Sequence, residues 1–493
     1  MFIILCCILC VLSTYLLLRK RPKSICDPPY HSGAFPVIGH VKMIAISSTG
    51  LWNVLKDVSQ ECHEVEGIVK VKMGPLTAYF LTDPDDCTMA LNACNQKHYL
   101  NSFAKPWLGS GLLIAPVEVW KVHRKLLNPI INQQVVNKFI GVFNKQARKL
   151  AATFDAQVGK GRFDHEKLLL ISSLETICQT ALGIDVCDKS KDNVEYLNAI
   201  DDLLIIFVKR FSKLWLHSKY IYNMTSLKRQ QDKLLKIIHN MSNTVLQAYK
   251  AKLAAENAYA TNTDESSDEF RPFVDHILKL SMEKGSLTDA EIVDELNTLI
   301  ITGYDTVADT LCHTLMLLGS YAEVQERAYK EIQDVFGNDF DRDVDKLDLS
   351  KLVYLEAVIK ESLRYIPTVP VVARYTETDI TLKKYTIPAN STFYVLVCGL
   401  HSNSVWGVDA DKFRPERWLN RATLPQNPNA FGVFGIGRRS CIGKNYAMMS
   451  MKTTITHILR RYKITSDISK LVLKMEALLK PASGQHISLE RRK

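Results

Sequence analysis

Hydrophobic positions are unevenly spread along this chain. Residues 2–18 are almost entirely apolar, interrupted only by Ser13 and Thr14, and a stretch of that length reaches the lower limit of a bilayer-spanning helix. A cleaved signal peptide is the rival reading. The missing basic amino end, the missing small-residue cleavage site and the length of the stretch favour an uncleaved anchor. Arg19, Lys20, Arg21 and Lys23 follow at once, and such clusters stay on the cytoplasmic side, which puts the body of the chain in the cytosol. Pro22, Pro28, Pro29 and Pro36 predict a stiff spacer over residues 19–40, because proline fixes φ and biases the residue before it away from helix.

From there to about residue 370 the apolar spacing is helical, and strand-like pieces such as residues 67–73 and 77–81 are few and short. The pattern predicts a mainly α protein with small β-sheets. Residues 260–269, ATNTDESSDE, have no apolar period and read as a solvated loop. A long helix is predicted to begin near Thr288, where Thr288 and Glu291 have capping-box spacing and Ile292, Leu296, Leu299, Ile300, Val307 and Leu311 recur at helical intervals. Its middle breaks the rule, because Thr302, Gly303, Tyr304, Asp305 and Thr306 occupy what should be a buried centre. Taken alone, that break reads as an exposed face or a mild glycine kink. There is no internal repeat, and residues 41–493 are expected to form one large domain.

Composition narrows the class. Of 493 residues, 47% are hydrophobic and 23% charged, which fits an ordered globular protein. The formal charge of +10 comes from Lys and Arg without a basic run interleaved with aromatics. That points away from nucleic acid and toward a membrane surface or an acidic protein partner. Twelve cysteines are too sparse for a disulfide scaffold and too irregular for a zinc ribbon. Cys7 and Cys10 form one CxxC inside the apolar stretch, where thiols act as small hydrophobes. On the reducing side of a membrane the thiols stay free.

The strongest local signal is FGIGRRSCIG at residues 434–443, in which Phe434, Gly437, Arg439, Cys441 and Gly443 hold fixed spacing. Chance produces this in about one chain of this length in ten thousand. Glycines let backbone wrap tightly around a sulfur, and backbone N–H groups aimed at it temper its charge. Arg439 is placed to meet a carboxylate.

With these residues the chain resembles the cytochromes P-450, and further motifs match in the expected order over nearly its whole length. They are Trp120 with Arg124, Gly303 with Asp305 and Thr306, Glu361 with Arg364, Arg374, and residues 413–418, FRPERW. The resemblance implies the P-450 fold and haem b, with the haem between the long central helix and the cysteine-loop helix. It implies Cys441 as axial thiolate, whose electron donation favours O–O cleavage. It implies Trp120, Arg124, Arg374 and Arg439 as partners of the haem propionates, anions costly to bury unpaired; His401 is either a further partner or an ordinary loop histidine. Glu361, Arg364 and Arg417 would form a buried structural triad. Thr306 would pass protons to oxygen at the haem, Asp305 would bring them from solvent, and Gly303 would leave room beside the iron. No flavin or nicotinamide fingerprint stands out, so electrons from NADPH would come through a separate NADPH-cytochrome P-450 reductase, with cytochrome b5 as a second candidate. Lys121, Lys125, Arg438, Lys444 and Lys452 read either as a docking face for an acidic flavoprotein or as scattered solvated cations.

Within the family the GYDT segment, the YIPTVPVVAR run and CIGKNYAMMSMK resemble insect microsomal members of the family-4 clan. Thr302 stands where many of them carry a glutamate that becomes esterified to haem. Covalent attachment is therefore not expected, and the inference of terminal fatty-acid hydroxylation weakens. Substrate contacts implied by the resemblance are Leu299, Ile300, Thr302, Val369, Val371 and the turn near Ser483. Trp215, Tyr220 and Tyr222, set among lysines, read as a channel loop dipping into the membrane interface or as a packed helix end. Three functions stay open: oxygenation of a lipophilic small molecule at the endoplasmic reticulum, rearrangement of hydroperoxides, and haem binding without catalysis.

Overall fold

A computed structural model describes residues 27–35, 39–40, 47–73, 76–184, 191–259, 270–337, 339 and 341–492. The expected anchor (2–18), half of the spacer and the loop at 260–269 lie outside the described residues. Among the described residues no helix is long and apolar enough to cross a membrane.

The capping box predicted at Thr288 is present: Thr288 Oγ1 accepts from the Glu291 amide, and Glu291 Oε2 accepts from the Thr288 amide at 2.9 Å. It opens a continuous helix, Asp289–Ser320, with Ile292, Leu296, Ile300, Val307 and Leu311 buried. Burial around most of its circumference makes this the central helix of the molecule. Helix Glu166–Leu182 packs against it. Gly303, expected to leave room beside the iron, lies against that helix. A β-carbon there would lie 2.8 Å from Cδ1 of Ile177, so the missing side chain admits a neighbouring helix.

The sheets are small, as expected. Strands Ile68–Met73 and Leu76–Leu81 form an antiparallel hairpin, Ser391–Leu396 runs parallel beside the second, and Val371–Thr376 closes the sheet. An antiparallel pair, Leu473–Met475 and Leu479–Pro481, lies near the carboxyl end. It is tied to the segment before Val371 by the Leu479 amide, which donates to Thr368 O at 3.0 Å.

Candidate functional site

The segment around Cys441 is shaped by glycine. Gly435 and Gly437 hold φ of +77° and +74°, a left-handed conformation that costs most residues but not glycine. At Gly437 a β-carbon would meet Asn92 Oδ1 at 2.7 Å. The Cys441 amide closes the loop onto Phe434 O at 2.6 Å, and Gly443 caps helix Lys444–Arg461. Cys441 thus sits just ahead of a helix N-terminus, whose dipole favours negative charge. Its sulfur side is accessible, yet enclosure by protein pushes the thiol up, against the Gly443 amide, Arg124 and Lys444. The two facts agree if the side chain faces an internal cleft.

Cations converge on the same place. Arg124 Nη1 donates to Ser440 O at 2.8 Å, Arg439 Nη2 donates to Ala115 O at 2.8 Å, and the Arg439 guanidinium stands 4.5 Å from the centre of the Trp120 ring. Burial, then the charge of Arg374, lowers Arg439 to about 10. Burial also lowers Arg124 and Arg374. Lys97, which no motif singled out, pairs its backbone with Arg374. Burial and the charges of Arg374 and Arg439 push it well below the usual lysine range.

The donor set asks for an anion. Among the described residues Nε of Arg374 and both Nε and Nη1 of Arg439 are buried without a hydrogen-bond partner, an arrangement costly unless charge-assisted acceptors meet it. Among the described residues no group of three His, Cys, Asp or Glu side chains forms a cage for a bare metal ion. One thiol beside Arg124, with further unmet guanidinium donors on Arg374 and Arg439, suits a metal that arrives inside its own dianionic ligand.

Behind the cysteine loop the triad is present and more extensive than expected. Arg364 meets Glu361 through Nε at 2.9 Å and Nη2 at 2.8 Å, and Arg417 Nε donates to Glu361 Oε1 at 2.9 Å. Glu361 also accepts from Trp418 Nε1 and the Arg414 amide, both at 2.9 Å. His401 belongs to this region, not to the arginines near Cys441. Its Nδ1 lies 3.0 Å from Arg364 O, its ring stacks on Phe431, and burial lowers it to about 3.

On the central helix Thr306 is half-buried, and its hydroxyl donates to Thr302 O at 2.7 Å. Asp305 is 8% exposed and is held by Lys480 Nζ at 2.8 Å, not open to solvent. Leu299 and Thr302 keep partial exposure near Thr306, and Val369 and Val371 are half-buried beside Thr368, whose hydroxyl meets that of Thr310 at 3.0 Å. Two expected substrate positions do not fit. Ile300 is 1% exposed, its surface taken up by the core. Ser483 is exposed and accepts from the Val472 amide at 3.2 Å, at the open end of the carboxyl-terminal hairpin.

Two surface readings also change. Lys452 is buried, donating to Leu349 O and Glu356, so it leaves the basic face, while Lys121, Lys125, Arg438 and Lys444 are exposed. Trp215 and Tyr220 are exposed, but Tyr222 is buried against Gln231 and Arg210.

A helical body with a glycine-shaped cysteine loop and a cluster of buried arginines is the architecture of a haem-thiolate enzyme. The family model described as Cytochrome P450 matches residues 28–488, and the chain belongs to that family. It is 30% identical to Cytochrome P450 4V2 of Pongo abelii over 94% of this chain and 90% of the relative. It is 29% identical to Cytochrome P450 4c3 of Drosophila melanogaster over 93% and 88%, and 31% identical to Cytochrome P450 4c21 of Blattella germanica over 77% of each. The protein is a cytochrome P-450 monooxygenase.

Proposed function

We propose that the protein inserts one oxygen atom of O2 into a lipophilic small molecule, with electrons from NADPH supplied by a separate reductase. It does so from a cytosolic body anchored in the endoplasmic reticulum membrane by residues 2–18. Haem, when bound, supplies the oxygen-activating and electron-accepting chemistry. The protein contributes position and protons. Cys441 would ligate the haem iron, and Arg124, Arg374, Arg439 and Trp120 would hold the haem carboxylates, joined by Lys97. The observation that carries this reading is the set of orphaned donors on Arg374 and Arg439, two mutually close guanidinium groups of which the second stands two residues before Cys441 in the chain.

Thr306 and Asp305 move protons to the reacting oxygen. In this structure the Thr306 hydroxyl hydrogen is engaged by Thr302 O, so relay requires that rotor to turn. The apolar and hydroxyl-bearing positions Leu299, Thr302, Val369 and Val371 contact substrate and set no charge on it. The exposed Lys121, Lys125, Arg438 and Lys444 suit an acidic reductase.

The decisive measurement is the carbon monoxide spectrum of the reduced protein, followed by turnover with reductase, NADPH and a panel of lipophiles. A thiolate-type spectrum with oxygen-dependent product is expected. A histidine-type spectrum would overturn the reading, as would oxygen-independent turnover of lipid hydroperoxides or a haem-replete but inert protein. Asn223, Asn240 and Asn390 occupy exposed N-x-S/T sites, and a glycan on any of them would contradict a cytosolic body.

A further inference from the structure

The central helix carries a pattern that the relay reading does not absorb. Asp305 with Thr306 is followed one turn later by Asp309 with Thr310, and again by His313 with Thr314. The threonines bond in series: Thr306 donates to Thr302 O, Thr310 to Thr306 O and Thr314 to Thr310 O, at 2.7, 2.7 and 2.8 Å. The acids also meet a single cation. Lys480, on strand Leu479–Pro481, sets its Nζ 2.8 Å from Asp305, 3.5 Å from Asp309 and 3.7 Å from Glu166.

Asp309 is 0% exposed, and apart from Lys480 Nζ at 3.5 Å neither carboxyl oxygen has a hydrogen-bond partner among the described residues. A charged carboxylate in that position is costly, and such a group avoids the cost by keeping its proton. The titratable and charged groups around it leave this unchanged. On its own helix are Asp305, Cys312, His313 and Tyr304, the last bonded to Asp201. Before and at the start of the neighbouring helix are Asp164, His165 and Glu166, and from the hairpin come Lys474 and Lys480. Burial and the charge of Asp305 raise Asp309 well above the usual carboxylate range, with Lys480 pulling the other way. His313 is fully enclosed and driven down to about 3 by burial, so it adds no positive charge near neutrality.

We infer that Asp309 is a proton store for Asp305, and that Lys480 is the positioning residue through which the two carboxyls exchange. The Asp309 O–H bond breaks as the Lys480 ammonium gives one of its protons to the Asp305 carboxylate and recovers one from Asp309. The Asp309 carboxylate left behind takes over the ammonium. The group begins and ends with one proton shared between two acids beside one cation, so no net charge moves into the core. Glu166, only half-buried and itself raised by burial, resupplies Asp309 from the surface. This inference rests on the relay assignment of Asp305 and Thr306.

The test begins on the full-length resting protein. Infrared difference spectroscopy at neutral pH should show the carbonyl stretch of a protonated buried carboxyl. That band should be lost in Asp309→Asn and kept in Asp305→Asn and Thr306→Ala. In Lys480→Met, which removes the cation, the band should persist at least tenfold lower in proton concentration, since each pKa unit is a factor of ten. Loss of the band in no variant, or no band in the native protein, overturns the inference. Turnover is then followed with reductase, NADPH and whichever fatty acid, terpenoid or insecticide gives the largest spectral shift. Asp309→Asn should lower product per NADPH on the order of tenfold, with the missing electrons in hydrogen peroxide. That is less than the 10²–10⁴ of an acid in direct contact. If Thr306→Ala diverts electrons and Asp309→Asn does not, the store is refuted and the relay stands. If neither does, the relay assignment falls and the store with it.

Discussion

Replacing Glu361 by glutamine changes one atom and tests the scaffold behind the cysteine loop. Glu361 Oε1 accepts from Arg364 Nη2, Arg417 Nε and the Arg414 amide, and Oε2 accepts from Arg364 Nε and Trp418 Nε1. The side chains of Arg364 and Arg417 are 1% and 0% exposed. Glutamine presents an N–H to donors on one side and removes the negative charge that two buried guanidinium groups share. Removing one partner of a buried pair costs about 3–5 kcal/mol, a large part of the roughly 5–15 kcal/mol that holds a domain folded. Backbone acceptors on both arginines, at His401 O, Ala410 O and Asp409 O, keep the loss from being larger. With a urea slope of about 3 kcal/mol per molar, the midpoint should fall by about 1–1.7 M, and haem should leave the protein at lower denaturant. Trp418→Phe removes one hydrogen bond to the carboxylate without unpairing a charge and should cost less, about 1.5–3 kcal/mol. Equal effects from the two variants, or a Glu361→Gln protein within about 1 kcal/mol of the native one, would refute the argument.

Two further outcomes follow from buried charge. Lys97 is pushed down by burial and by the charges of Arg374 and Arg439, and a bound dianion would raise it again. Haem uptake should therefore take up a proton and weaken as pH rises above the depressed value, a dependence that Lys97→Met should flatten while speeding transfer of haem to apomyoglobin. His123 Nδ1 lies 2.6 Å from Glu295 Oε1. That hydrogen bond raises His123 above its ordinary 6.5, while burial raises Glu295. Both shifts make the folded state the tighter proton binder, so His123 contributes stability that is complete below about 6.5 and lost as pH rises through its folded value. Tm against pH should fall across that window in the native protein, and the slope should shrink in His123→Asn.

What could be read from the sequence was local or fixed by backbone geometry. The cap at Thr288 needs only its partner three residues on, and Gly437 needs only a φ that few other residues tolerate. What could not be read depends on partners far along the chain. The Lys452 ammonium looks solvated until Leu349 O and Glu356 arrive from 103 and 96 residues away. Tyr222 looks interfacial until Gln231 and Arg210 enclose it. Gly303 sits in a recognisable motif, but the neighbour that uses its missing side chain, Ile177, comes from another helix. Lys97 and Lys480 carried no signal, because their significance lies in the charges opposite them.

Those opposing charges separate scaffold from chemistry. Glu361, Arg364 and Arg417 form a buried ionic group whose acceptors and donors are met within the protein, so it needs nothing further. The cluster of Arg374, Arg439 and Lys97 has excess positive charge with N–H groups left over among the described residues, and Asp309 is a fully buried acid whose nearest cation, Lys480, stands at 3.5 Å. Unmet buried groups lower stability. A fold that keeps such groups therefore ties its stability to an anion bound at the arginine cluster and to a proton held at Asp309. Filling the cationic cluster should accordingly stabilise this protein more than it would a variant in which Arg374 and Arg439 are both methionine, whose apo form should be the more stable of the two.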